Sequence, residues 1–266
     1  MASNAHSSVL KHHFDNLEQQ HSAERLGMWM FLVTELLFFS GLFVSYTVYR
    51  HFFPAEFAFA SSHLILWIAG VNTVLLITSS LTMTLAIRAA QLGQKKNLIS
   101  YLVITAALGT GFMGFKAFEY YTDIHEKLVP GEMFNTEYAR AVTEIAPLSH
   151  SEVEKYQYKG DHPPEHWAQA LAKHNHGKSL GDEGYISHEK VQLFLMFYWI
   201  MTAIHGIHII VGIGCILWLV QQAMCGKIPP ENYSTVEVIS LYWHLVDMIW
   251  LFIMPLLYLA GAGKGH

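Results

Sequence analysis

Five uninterrupted apolar runs, over residues 26–49, 64–87, 98–121, 191–220 and 236–259, constrain this chain more than any other feature. Crossing a hydrocarbon core of about 30 Å takes about 20 helical residues, and each run is long enough. Backbone in lipid must satisfy its own hydrogen bonds, so the runs are helices. They are continuously apolar and do not alternate with period two, which excludes a β-barrel reading. With 52% hydrophobic and only 14% charged residues in 266, the chain is too apolar for an ordinary soluble domain. The expected fold class is all-α, a polytopic membrane helix bundle with five transmembrane helices.

Short loops set the orientation. Arg88, Lys95 and Lys96 cluster after the second run, Lys227 follows the fourth, and Lys11 and Arg25 precede the first. The positive-inside rule puts these segments in the cytoplasm, giving N-in and C-out. The first 25 residues lack the apolar core and small-residue cleavage site of a signal peptide, so residues 1–25 are expected to be a cytoplasmic tail. Helices one to three fill 26–121, a long extracytoplasmic insert spans 122–190, and helices four and five occupy 191–262. The insert holds twelve Asp and Glu against seven Lys and Arg, so nucleic acid is not an expected partner. Prolines break it into pieces, with short amphipathic helices expected over 136–145 and 164–174. It also holds seven of the seventeen histidines; His162 and His166 share a helical face, yet the tract lacks cysteine and a clean ligand set, and no metal site is expected. Cys215 and Cys225, about 15 Å apart if the helix continues between them, are too distant for a disulfide.

Polar residues inside the runs mark where helices meet something other than lipid. An Asp at the bilayer centre costs roughly 2.5–3.5 kcal/mol on insertion scales and should face protein or water. In Tyr242-Trp243-His244-Leu245-Val246-Asp247-Met248-Ile249-Trp250, His244 and Asp247 share one helical face and can be satisfied together. Glu35, near the middle of the first run, is protonated, hydrogen-bonded to a neighbouring helix or set on a water-filled path. Asn72, Thr73, Thr78, Ser79, Ser80, Thr82 and Thr84 make the second helix rich in small and hydroxyl side chains, the composition of close helix packing. His205 and His208 lie on one face of the fourth helix, so they cannot bind opposite sides of one iron; core hydrogen bonding is the expected role.

Taken in order, these motifs resemble a family. Met28 to Gly41, with Glu35 at its centre, resembles the glutamate-bearing helix of subunit III of the haem-copper cytochrome oxidases, in its bacterial five-helix form. Asn72-Thr73 with Ser79-Ser80, the turn with Gly93, Lys95 and Lys96, and Phe118-Glu119-Tyr120-Tyr121 are similar to its following segments. Thr202 to Gly212 resembles its Thr-Gly-Phe-His-Gly-x-His helix, and Glu237 with Tyr242 to Trp250 its last helix.

The resemblance implies a non-catalytic core subunit of a proton-pumping oxidase that reduces O₂ to water with cytochrome c as donor. It would lie in the bacterial inner membrane against subunits I and II. Haem and copper would belong to those partners and no cofactor to this chain; bound phospholipids are expected, with Arg25 and Trp29 as contacts. Glu35 is the proton-linked carboxyl, paired with His208 or a serine of the second helix, and His205, His208, His244, Asp247, Glu119 and Glu237 form structural polar contacts. Subunit III of a quinol oxidase, a homologue associated with nitric-oxide reductase and, more distantly, a transporter are the alternatives. Lys116 stands where the family usually has glutamine, so an i,i+3 ion pair with Glu119 near the outer surface is expected. Ala203 and Ile204 replace the usual Gly-Phe. The insert exceeds the family's usual connection and is expected to dock a cytochrome c domain or another respiratory complex.

Overall fold

The computed structural model describes Phe14, residues 16–148, Val153, residues 165–226, Ile228 and residues 233–261. Lys11, His162 and Lys227, which entered the reading above, lie outside these. The described residues form helices and connections with no strand. The helices are α1 (Leu17–Phe52), α2 (Pro54–Ser62), α3 (Leu66–Gln91), α4 (Lys95–His125), α5 (Glu132–Ile145), α6 (His166–Asn175), α7 (His188–Met224) and α8 (Ser234–Tyr258). Five of them, α1, α3, α4, α7 and α8, are long and apolar enough to cross a membrane.

Local chemistry sets where these helices start and stop. α1 begins well before its apolar run because Asn16 caps it: Asn16 Oδ1 accepts the Gln19 N–H at 2.8 Å, satisfying one of the four donors a helix start leaves open. Part of the expected 1–25 tail is therefore helix. Pro54, whose missing N–H costs nothing at a first turn, opens the short α2. α3 ends on a left-handed Gly93 (φ 68°), with Gln94 N–H bonded to Ala89 O and Gly93 N–H to Ala90 O, so that α4 starts at once. The end of α4 repeats that pattern with Lys127 (φ 54°), a conformation awkward for a side chain; its ammonium is anchored 2.6 Å from Glu137 Oε1.

The chain divides into two compact units. The first comprises Met1–Gly41, Gly70–Phe115 and Ile204–Phe252. Its core is built around Trp243, which is fully buried. Trp243 fits because Gly109 and Gly212 leave room for it: a Cβ added to either would lie 2.7 or 2.8 Å from the indole. Thr82 and Thr105 join α3 to α4 through hydroxyls 2.8 Å apart.

The second unit comprises Leu42–Ala69, Lys116–Ala203 and Ile253–His266. Phe57, Phe194 and Tyr46 pack their rings together, and the Tyr46 hydroxyl donates at 2.5 Å to Leu256 O, one of the last carbonyls of α8. α5 and α6 meet through the stacked rings of Phe134 and Trp167, 4.2 Å apart. Their bounds differ from the expected 136–145 and 164–174 by a few residues, since helix ends depend on caps that a hydrophobic pattern does not show.

Candidate functional site

Polar side chains inside the first unit gather along α3, α7 and α8. Glu35 of α1 and His208 of α7 meet with Oε2 and Nε2 3.0 Å apart. The ring's other nitrogen, Nδ1, lies 2.8 Å from Ile204 O. A carbonyl only accepts, so Nδ1 carries a hydrogen and donates, and the tautomer follows from that bond. One proton then lies between Nε2 and Oε2, either donated by the carboxylic acid to the imidazole or by the imidazolium to the carboxylate. Phe39, fully buried, sets its ring edge-on to His208 at 5.5 Å. About a fifth of each side chain is exposed (20% and 21%).

His244 and Asp247 face α3 together, but each takes its own serine. His244 Nδ1 lies 2.6 Å from Ser80 Oγ. Asp247 Oδ2 lies 3.4 Å from Ser79 Oγ. Ser79 also donates to Leu76 O at 2.8 Å and accepts the Trp243 indole N–H at 3.1 Å, so its hydroxyl hydrogen is divided between two acceptors. Further along, Trp250 Nε1 donates to Thr73 Oγ1 at 3.1 Å. The hydroxyl-rich face of α3 thus provides hydrogen bonds between helices, whereas Thr78 and Thr84 bond their own backbone and stay exposed.

His205 is buried between aromatic rings, stacked on Trp250 at 5.3 Å and edge-on to Phe112 at 5.7 Å. Both nitrogens of His208 are engaged by protein partners, Ile204 O and Glu35 Oε2. Among the described residues no three His, Cys, Asp or Glu side chains converge as a metal site would require. Glu237 stands in the first turn of α8, where an acidic group favours the helix dipole. Arg25 and Trp29 are exposed on α1.

The second unit holds a cluster that short-range pattern does not disclose. Lys116 and Glu119 form the expected i,i+3 pair at 3.0 Å, but both side chains are buried and do not sit at a surface. Lys116 Nζ also donates to Tyr198 OH at 3.2 Å and Tyr258 OH at 2.7 Å. Its ammonium lies 4.7 Å from the centre of the Tyr198 ring, within cation–π range. Asp123, a further turn along α4, has its Oδ2 2.7 Å from the Tyr198 hydroxyl. The partners come from α7 and α8, far away in sequence, and for that reason the sequence suggested an exposed pair. The one available signal was the face itself: Lys116, Glu119, Tyr120 and Asp123 recur at helical spacing.

Comparison with known proteins agrees with the motifs. Residues 190–262 match the family described as cytochrome c oxidase subunit III. The chain is 24% identical over 243 residues to quinol oxidase subunit 3 of Bacillus spizizenii, covering 90% of this chain and 87% of the relative. It is 25% identical over 236 residues to cytochrome c oxidase subunit 3 of Synechocystis, covering 88% and 74%. With the cytochrome bo(3) ubiquinol oxidase subunit 3 of Pseudomonas aeruginosa it shares 22% identity over 251 residues, covering 94% and 91%.

Proposed function

We infer the role of this chain from the family to which it belongs, the subunit III family of haem-copper oxidases. It is a multi-pass membrane subunit of a terminal oxidase complex, and its contribution is structural and proton-linked. Electron transfer and O₂ reduction belong to partner subunits I and II, which carry the haem and copper. Cytochrome c is the donor in this reading, and quinol is the competing one. Relatives named for each align over most of the chain.

The observation that carries the proton-linked role is the Glu35–His208 pair. A carboxyl and an imidazole that share one proton, partly exposed inside an apolar surrounding, can pass that proton to water or to a neighbouring subunit. In the proposed N-in, C-out arrangement of a bacterial inner membrane, Glu35 lies on the part of α1 that runs from Arg25 at the cytoplasmic side into the membrane. Arg25 and Trp29 are placed to meet lipid phosphate and headgroups. The large apolar side chains that α1 exposes, among them Leu26, Met30, Val33 and Leu37, face lipid or subunit I.

Glu35→Gln tests this directly, because an amide can donate to Nε2 and keep the contact while removing the exchangeable proton. The complex is expected to assemble normally, with slower turnover, weaker pumping or a several-fold shorter life under turnover. A variant oxidase indistinguishable in rate, pumping and lifetime would reduce the pair to packing. The insert between α4 and α7, acidic overall, is proposed to dock a donor cytochrome domain or another respiratory complex. Deleting it without changing donor kinetics or co-purification would remove that role.

A further inference from the structure

The buried cluster of Lys116, Glu119, Asp123, Tyr198 and Tyr258 has no part in the function described above. Its charged members are 2% exposed or less. Six short contacts connect it. Lys116 Nζ reaches Glu119 Oε2 at 3.0 Å, Tyr198 OH at 3.2 Å and Tyr258 OH at 2.7 Å. Tyr258 OH reaches Glu119 Oε1 at 2.6 Å, while Tyr198 OH reaches Glu119 Oε1 at 3.1 Å and Asp123 Oδ2 at 2.7 Å.

Each contact at these distances takes a hydrogen of its own. An ammonium supplies three and each phenol one, so Lys116, Tyr198 and Tyr258 provide five in all. The sixth must come from a carboxyl. Tyr198 locates the shortage. Its single hydrogen can point along one of its two carboxyl contacts, and its oxygen can accept along the other while also accepting from Lys116. If Asp123 is a carboxylic acid donating to Tyr198, and Tyr198 donates to Glu119, then all six contacts are filled. Glu119 then accepts from Lys116, Tyr198 and Tyr258 together, the arrangement that best stabilises a buried carboxylate.

Charge leads to the same answer independently. A lysine with two carboxylates leaves one uncompensated negative charge, and a buried, uncompensated charge is costly. The groups that bear on the cluster are Lys116, Glu119, Tyr120 and Asp123 of α4, Glu126 just beyond it, Tyr198 of α7 and Tyr258 of α8; among the described residues, Lys116 is the cation set against the carboxylates. One added proton makes the cluster neutral.

We propose that these five side chains form a binding site for a single proton, held by Asp123 against the Tyr198 hydroxyl. The site is separate from the Glu35–His208 pair and does not depend on which donor the complex uses.

Infrared spectroscopy of the complex purified through this chain reads a protonated carboxyl from its C=O stretch. Asp123→Asn is expected to remove one such band at neutral pH. Tyr198→Phe, which keeps the ring and removes only the hydroxyl, is expected to shift that band without abolishing it. Lys116→Met removes the cation, and a second protonated-carboxyl band is expected to appear. Retention of every band in Asp123→Asn would overturn the proposal, and so would loss of a band in Glu119→Gln with none in Asp123→Asn.

Discussion

Ser79 shows how much one hydroxyl holds inside an apolar helix pair. It receives the Trp243 indole N–H and offers its hydrogen to Leu76 O and Asp247 Oδ2. Ser79→Ala leaves two polar groups of α8 without that partner, and a buried group so orphaned costs about 1–3 kcal/mol. Thermal unfolding of the purified complex should report a loss of that size; an unchanged midpoint would mean that other groups serve Trp243 and Asp247. The polar residues themselves, Glu35, His205, His208, His244 and Asp247, could be picked out from sequence because a titratable group in a long apolar run is conspicuous. Their partners could not. Glu35 and His208 are 173 residues apart, and Lys116 and Tyr258 are 142 apart, so only the tertiary structure distinguishes a buried hydrogen bond from an exposed side chain.

Trp243 fits closely between Gly109 and Gly212 in the first unit. A methyl at either glycine would need the indole to move, and overpacking of this kind costs about 1–3 kcal/mol. Gly109→Ala and Gly212→Ala should each lower the unfolding midpoint, and the penalty should shrink when Trp243 is replaced by Phe. A double-mutant cycle measures that coupling; additive effects would show that the indole is not what meets the new methyl. The long helices were legible as apolar runs, whereas α2 and the early start of α1 were not read from the sequence. Their signals were Pro54 at a first helical turn and Asn16 followed by Gln19, local capping cues hidden beside a much stronger hydropathy signal. At the α2 to α3 corner, burial holds the His63 imidazole below its ordinary range, and nearby His166 pushes the same way; the Nδ1 bond to Phe59 O at 2.9 Å acts in the opposite sense. The unfolded corner therefore binds protons more readily. Its stability is full above the ordinary histidine value of about 6.5 and falls as the pH drops below it. Protection of the amides around His63 against hydrogen exchange, corrected for the intrinsic exchange rate at each pH, should fall on acidification in that window, and His63→Gln should flatten the response.

At the scale of the molecule, the five candidate spans and the order of the motifs along them argue for one part of a larger assembly. α1 leaves Leu36, Leu37, Phe38 and Val44 exposed along its length, a surface that lipid or another subunit must cover. Glu35 bonds to His208, and His244 and Asp247 bond to serines of α3, while in the proposed reading the redox reaction is supplied by partner subunits. Purification through a tag on this chain in mild detergent, followed by haem and copper analysis and by oxygen uptake with reduced cytochrome c and with a quinol, tests that most directly. The expected result is stoichiometric haem and copper in co-purifying subunits, with O₂ consumption sustained by cytochrome c. A chain that purifies without haem or copper, in a complex that consumes no O₂ with either donor, would contradict the account.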